Sequence, residues 1–215
     1  MKVLVIAAHA DDETLGAGAI VASHIAKGDE VSVAIATDCR TMRDPGAKPT
    51  LSEEAVKALS VLGVKNFLFF GLPAMTLAFS EQELNSLVEA TVAEIKPDII
   101  YTHHWADVNS DHRAINSSVM VAARPTGKPQ KVLCFEVPSS TEWAWGESFR
   151  PNYFVQHTVE RVNKKLSAMA KYESELRPYP HPRNLDALRV RAEYWGQVAG
   201  SSFAEAFVLA REITP

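Results

Sequence analysis

The sequence predicts an α/β fold, a mostly parallel sheet with helices on both faces, and three observations point to it. Short continuous apolar runs read as buried strands, longer runs with apolar residues every three or four positions read as amphipathic helices, and the two alternate along most of the chain. Val3 to Ala8 is the first strand, Thr14 to Lys27 a helix closed by Gly28, and Val31 to Ala36 a second strand. A loop over residues 38 to 52 holds Pro45, Gly46 and Pro49; a helix from about Ser52 to Leu62 then ends at Gly63, and Asn66 to Phe70 is a third strand. Ser80 to Lys96 opens with the capping pattern Ser-Glu-Gln-Glu, repeats apolar residues from Leu84 to Ile95 and stops at Pro97. Asp98 to Thr102 follows as a fourth strand, a helix starts near Asp111 or His112 and reaches about Arg124, and Lys131 to Val137 is a fifth strand. Parallel strands need crossover connections and cover on both faces, so a Rossmann-like arrangement is expected. The last third is less regular: a loop over Pro138 to Pro151, helices over Val159 to Glu175 and Leu185 to Ala199, and an added strand over Ala206 to Arg211.

The 215 residues, 47% hydrophobic and 22% charged, suit one globular domain over 1–215 with a sizeable core. A net charge of −4 without a Lys/Arg cluster argues against salt-driven binding to nucleic acid or anionic lipid. Cys39 and Cys134 alone make no disulfide framework, which points to a reducing cytoplasm. The apolar start Val3 to Ala8 is too short for a signal sequence, and no run reaches the roughly 18 apolar residues that read as a membrane-spanning helix. Oligomeric state stays open, a homo-oligomer included.

Ligand sites in open parallel sheets form beyond the carboxyl ends of the strands. Two such ends hold unusual chemistry here. After the first strand comes His9-Ala10-Asp11-Asp12-Glu13, and after the fourth comes a loop from His103 to His112 with Asp107, Asn109 and Asp111. A catalytic zinc takes three His, Asp or Glu ligands and keeps one position for water. His9, Asp12 and His112 can supply that set, which leaves Asp11 beside the metal as a general base. Acids at a helix start also cap it, and for Glu13 capping is as good a reading as function. Capping does not explain why a strand ends in His beside two acids, or why a second acidic, histidine-rich loop follows another strand.

The first segment resembles the His-Pro-Asp-Asp-Glu signature of the PIG-L/LmbE-like zinc de-N-acetylases, and the second their Asp-x-Asn-x-Asp-His signature. Phe135 to Trp143, Pro180-His181-Pro182-Arg183 and Ala204-Glu205-Ala206-Phe207 are similar to one bacterial branch of that family. The resemblance implies a Rossmann-like fold and hydrolysis of an N-acetyl group, usually on an amino sugar or its conjugate. It implies a metal on His9, Asp12 and His112, Asp11 as base, and Asp111 as a group that orients a ligand or the base, if it is not a plain helix cap. Zn(II) is the expected ion, and Fe(II) or Co(II) suit the same donors. Three positions depart from the family pattern. Ala10 replaces a proline and removes no ligand. Asn109 stands where some branches have a histidine that steadies the oxyanion; its amide can donate a hydrogen bond but no proton, so the leaving group takes its proton from Asp11 acting a second time or from His181. Leu51 stands where an arginine is common, which passes substrate contact to Arg40 or Arg43.

Trp105, Trp143 and Trp145 either stack on a sugar or close the core beneath a loop. Arg183 either grips the substrate or pairs with a carboxylate. His103 and His104 are strand neighbours, so at most one faces the site. The main competing reading is a nucleotide-binding module, because Gly16-Ala17-Gly18 follows the first strand and Asp38 the second; the acids at the turn would repel a pyrophosphate, and the glycines are better explained by close packing of the helix. A non-catalytic metal-binding protein is the other alternative.

Overall fold

The computed structural model describes residues 1–38, 50–125 and 130–214. Strands β1 (Lys2–Ala7), β2 (Glu30–Thr37), β3 (Asn66–Leu72), β4 (Ile99–His103), β5 (Gln130–Phe135), β6 (Tyr153–Gln156) and β7 (Ala204–Ile213) form one sheet in the order β3-β2-β1-β4-β5-β7-β6. The first five strands run parallel; β7 is antiparallel to β5, and β6 to β7. Helices α1 (Asp12–Ala26), α2 (Thr50–Leu62), α3 (Glu81–Ile95), α4 (Ser110–Ala122), α5 (Val159–Met169) and α6 (Leu185–Val198) flank it. No helix among the described residues is long and apolar enough to cross a membrane.

Both faces of the central strands β1, β2, β4 and β5 are mostly buried, which is why these strands are largely apolar instead of alternating, while the edge strands β3 and β6 are mostly half-buried or exposed. Val3, Val5, Val33 and Ile35 point toward α1 and α2, whose Leu15, Ile20, Ala58 and Leu59 share their cluster. Leu4, Ile6, Ala34 and Ile100 point the other way, toward Leu84 and Val88 of α3 and Ile115 and Val119 of α4. From β1 the chain steps outward to β2 and β3, then returns to pair β4 with the opposite side of β1. That reversal is a topological switch point, and it opens a crevice at the carboxyl ends of β1 and β4.

Gly16 and Gly18 serve packing. A Cβ on Gly16 would lie 2.1 Å from Cδ2 of Phe135 on β5, and one on Gly18 would lie 2.9 Å from Cγ of Lys165 on α5. One glycine seats α1 on the sheet and the other admits the lysine stem.

The differences from expectation fall in the last third. β6 is an edge strand of 4 residues, too short to stand out behind Pro151. β7 spans Ala204–Ile213, longer than Ala206 to Arg211. α5 ends at Met169 instead of continuing to Glu175, although Tyr172 and Leu176 still pack on the core, which is what made the apolar period run on in sequence. Ser80 stands at the N-cap of α3, but its hydroxyl makes no capping bond.

Candidate metal centre

His9 leaves the end of β1, and Asp11 to Glu13 turn the chain into α1. The turn is tight: Asp12 N–H donates to the His9 carbonyl at 3.3 Å, and Oδ2 of Asp12 accepts His9 N–H at 2.9 Å. Ala10, in the place of the family's proline, is buried beneath it. Asp11 has φ 106°, a left-handed conformation that L side chains rarely adopt, at a cost of about 1 to 3 kcal/mol. Glu13 steadies this turn by accepting Asp11 N–H at 3.1 Å, Thr14 Oγ1–H at 2.6 Å and the Tyr172 hydroxyl at 2.6 Å. Glu13 thus braces the turn, while the Asp11 and Asp12 carboxylates point elsewhere.

On the adjacent strand end, α4 begins with Asn109 as its N-cap, Oδ1 accepting Asp111 N–H at 2.9 Å. The helix presents His112 to the turn after β1. Three donor atoms then meet. His9 Nδ1 is 3.2 Å from Asp12 Oδ2 and 3.3 Å from His112 Nε2, and His112 Nε2 is 3.2 Å from Asp12 Oδ2. A tetrahedral ion bound at 2.0–2.2 Å puts its ligands about 3.3 to 3.5 Å apart, so this triangle fits one face of such a coordination shell almost without movement. Among the described residues, His9, Asp12 and His112 form the one group of three or more such side chains with metal-ligand spacing.

Each imidazole turns its other nitrogen to a carboxylate. His9 Nε2 is 3.0 Å from Asp111 Oδ2, and His112 Nδ1 is 3.2 Å from Asp107 Oδ2. This fixes which nitrogen faces the centre and makes it more basic, as the outer carboxylates of metal sites do. Asp111 is itself held by the backbone N–H groups of Met75 at 2.6 Å and Leu77 at 3.2 Å. Asp107 accepts the Ser140 hydroxyl, the Thr141 hydroxyl at 2.6 Å and Asn109 N–H at 2.8 Å. Burial would raise the Asp107 carboxyl, but His112 and the two hydroxyls hold it down at about 2. Burial opposes a charged His9, yet Asp111 and Asp12 lift its pKa to about 10, and Asp12 and Asp107 likewise raise that of His112 against its burial. A pocket that draws positive charge onto two imidazoles, one half-buried and one buried, is one a divalent cation satisfies.

Asp107 had no role assigned from sequence. Its signal was an acid in the same loop as the His112 ligand, five positions upstream. Asp107→Ala is expected to weaken metal binding about 10- to 100-fold, because His112 loses the group that orients it. Chelator competition measures this, and an unchanged affinity would mean that stacking alone orients the ring. That stacking is close: His103 lies 4.0 Å from the His112 ring at 24°. Its Nε2 accepts Ala8 N–H at 2.9 Å. His104 turns away, to Trp105.

Asp11 is buried beside the triangle and outside it. Burial pushes its carboxyl well above the ordinary range, against the pull of the Arg183 guanidinium. Arg183 Nη1 donates to Asp11 Oδ2 at 3.1 Å and to Glu175 Oε2 at 2.7 Å, and Nε donates to Ser139 Oγ at 2.8 Å. Of the two roles read for Arg183, the structure displays carboxylate pairing. His181 sits in the same loop, its Nδ1 accepting Arg183 N–H at 3.0 Å, so this loop reaches the site edge. Trp143 ends a short 3-10 turn and is 54% exposed. Leu51, in the first turn of α2, is buried in the core. Arg40 and Arg43 lie outside the described residues. Glu175, the second partner of Arg183, was not singled out in sequence; nothing local marks it.

Residues 4–123 match the family model PIG-L, described as GlcNAc-PI de-N-acetylase. The chain is 34% identical over 182 residues to the uncharacterized deacetylase YaiS of Escherichia coli, covering 80% of this chain and 90% of that protein. It is 29% identical over 159 residues to a probable N-acetyl-alpha-D-glucosaminyl L-malate deacetylase 2 of Bacillus subtilis, covering 68% and 72%. The crystal structure of the conserved protein TT1542 from Thermus thermophilus superposes with a TM-score of 0.78 at 23% identity, over 99% of this chain and 96% of that one. The two motif loops that meet at the switch point both lie inside the matched segment, and with these relatives they make the chain a member of the PIG-L family of de-N-acetylases.

Proposed function

We propose that this protein is a zinc-dependent hydrolase that removes the acetyl group from an N-acetylated amino sugar or its conjugate. One observation carries the reading: three donor atoms about 3.2 Å apart, each imidazole backed by a carboxylate, with a fourth buried carboxylate alongside that binds none of them. His9, Asp12 and His112 would hold a zinc ion, which would supply a Lewis acid and lower the pKa of a bound water to about 7. Fe(II) or Co(II) suit the same donors.

Asp11 takes the proton of the water whose oxygen bonds to the acetamide carbon. Its burial raises its affinity for that proton, as a general base working near neutral pH requires. Arg183 orients the carboxylate and opposes the effect of its burial. When the C–N bond breaks, the same proton passes from Asp11 to the leaving nitrogen, with His181 as the other donor on the adjoining loop. The products are acetate and a free amine. Asn109 offers its amide N–H to the carbonyl oxygen, Asp111 steadies His9, and Arg40, Arg43 and Trp143 receive the sugar. The cytoplasm suits the buried free Cys134.

The amino-sugar class rests on the names of the relatives. A panel of N-acetylated sugars assayed for acetate release, with apoprotein and zinc-reconstituted protein side by side, tests it. Release from at least one sugar only after reconstitution is expected. A metal-loaded protein inert across the panel, or one equally active without metal, would contradict the proposal.

A further inference from the structure

We propose that the turn Ser139-Ser140-Thr141 is one clamp that positions both halves of the candidate centre, Ser139 holding Arg183 against Asp11 and the next two hydroxyls holding Asp107 against His112. The inference deepens the zinc-hydrolase reading above and rests on it. The turn follows the carboxyl end of β5, the parallel neighbour of β4, and so stands on the same edge of the sheet as the two motif loops.

Three consecutive hydroxyls divide between two partners. Ser139 Oγ accepts Arg183 Nε–H at 2.8 Å, whereas Ser140 and Thr141 donate to opposite oxygens of Asp107, Ser140 to Oδ1 and Thr141 to Oδ2 at 2.6 Å. The division depends on the backbone. Ser139 has φ 72°, a left-handed conformation that turns the chain between one hydroxyl and the next, and such conformations persist only where the surroundings enforce them. Glu142 enforces this one: its Oε1 accepts Ser139 N–H at 2.9 Å and its Oε2 accepts Ser140 N–H at 3.1 Å. The Val137 carbonyl accepts the N–H groups of Ser140 at 3.1 Å and Thr141 at 3.0 Å, which closes the turn from the strand side.

Each end of the clamp removes one freedom. Arg183 meets Asp11 and Glu175 through a single nitrogen, Nη1, at 3.1 and 2.7 Å, so those two contacts alone let the guanidinium plane pivot. The Nε bond to Ser139 is a second point of attachment and stops the pivot. The Asp107 carboxylate is fixed in the same manner, by Ser140 and Asn109 N–H on Oδ1 and by Thr141 on Oδ2, and that Oδ2 stands 3.2 Å from His112 Nδ1. One short turn therefore sets the base side and the metal side together, through residues that touch neither water nor substrate.

The test uses the full-length chain, zinc-loaded. Ser139→Gly deletes the hydroxyl but suits the left-handed backbone, so a residue that served the fold alone would tolerate it. It is expected instead to lower kcat about tenfold with KM little moved, while zinc affinity and thermal midpoint stay close to those of wild type. Ser140→Ala and Thr141→Val are each expected to weaken zinc about tenfold in chelator competition, and Thr141→Ser to keep the wild-type affinity because the hydroxyl remains. A further readout needs no substrate: the Arg183 Nε–H, followed by nitrogen-15 NMR, is expected to exchange with water about tenfold faster in Ser139→Gly than in wild type. If no N-acetylated sugar is turned over, the deacetylase reading fails, and the zinc and exchange measurements still decide the clamp. Wild-type kcat and exchange in Ser139→Gly, or wild-type zinc affinity in both Ser140→Ala and Thr141→Val, overturns it while leaving that reading in place.

Discussion

Asp11→Asn is expected to retain the metal ion and lose most turnover, whereas the neighbouring Asp12→Asn is expected to lose the ion. The two carboxylates are adjacent in sequence, and the unusual backbone of Asp11 sends them in different directions. Asp12 Oδ2 is a vertex of the donor triangle, within 3.2 Å of both imidazoles. Replacing it by an amide removes an anionic ligand, which lowers affinity and should be partly rescued by excess zinc. Asp11 touches neither histidine and pairs with Arg183. An amide there can still bond to water but cannot take its proton, so kcat should fall by roughly 10² to 10⁴ with no rescue by zinc. The surroundings should survive, because Glu175 still holds the guanidinium at 2.7 Å. Metal titrations and steady-state rates on both variants decide the matter. Loss of metal in Asp11→Asn with retention in Asp12→Asn would mean that the roles are exchanged.

Glu205→Ala should cost about 3 to 5 kcal/mol of stability, the usual penalty for stripping one partner from a buried ion pair. Glu205 lies on β7 and is buried against Lys165 of α5, Oε1 to Nζ at 2.7 Å. Its two oxygens also accept backbone N–H groups in the middle of α1, Ala19 at 3.1 Å and Ile20 at 2.7 Å. Lys165 Nζ reaches back to the Leu15 carbonyl at 2.7 Å, and His157 Nε2 stands 3.3 Å from the carboxylate. Burial would raise the Glu205 carboxyl, but Lys165 and His157 hold it at about 2, so it stays ionised throughout the working pH range. The network ties a strand and a second helix to α1, whose first turn holds Asp11 and Asp12. Removing the carboxylate leaves a buried ammonium with one carbonyl for company. For a chain of this size the loss corresponds to a fall in Tm of roughly 6 to 20 °C, read by thermal unfolding at constant pH and metal loading. A fall of only a degree or two would show that water or helix rearrangement replaces the lost contacts.

The parts of this molecule that were legible in the sequence are those with local signatures. Strands β1, β2, β4 and β5 are buried over most of their length, and these with the half-exposed edge strand β3 appear as continuous apolar runs, while the intervening helices are marked by period, by Gly28 and Gly63, and by Pro97. His9, Asp12 and His112 were legible because a strand end rarely holds histidine and acids together, and two such ends flank the switch point. Asp107 sat in a quoted motif without a role, since only the fold reveals that it faces the Nδ1 side of His112. The partners of Arg183 were beyond reach: Asp11 is 172 positions away, and even nearby Glu175 has no pattern of its own. The Lys165–Glu205 pair was not legible, because its pairing spans two elements 40 positions apart and neither residue has a local pattern that marks it as buried. β6 escaped because four edge residues, three half-buried and one exposed, leave too little alternation to read.

Zinc stoichiometry tests the central claim most directly. Wild-type protein stripped of metal, reloaded and passed through a desalting column is expected to keep about one zinc per chain, since three ligands on rigid strand and helix ends form a preorganised site. His112→Ala under the same treatment should keep almost none, while its far-ultraviolet circular dichroism stays that of a folded α/β protein. Wild type that retains no stoichiometric zinc, or a His112→Ala protein that retains as much as wild type, would contradict the account.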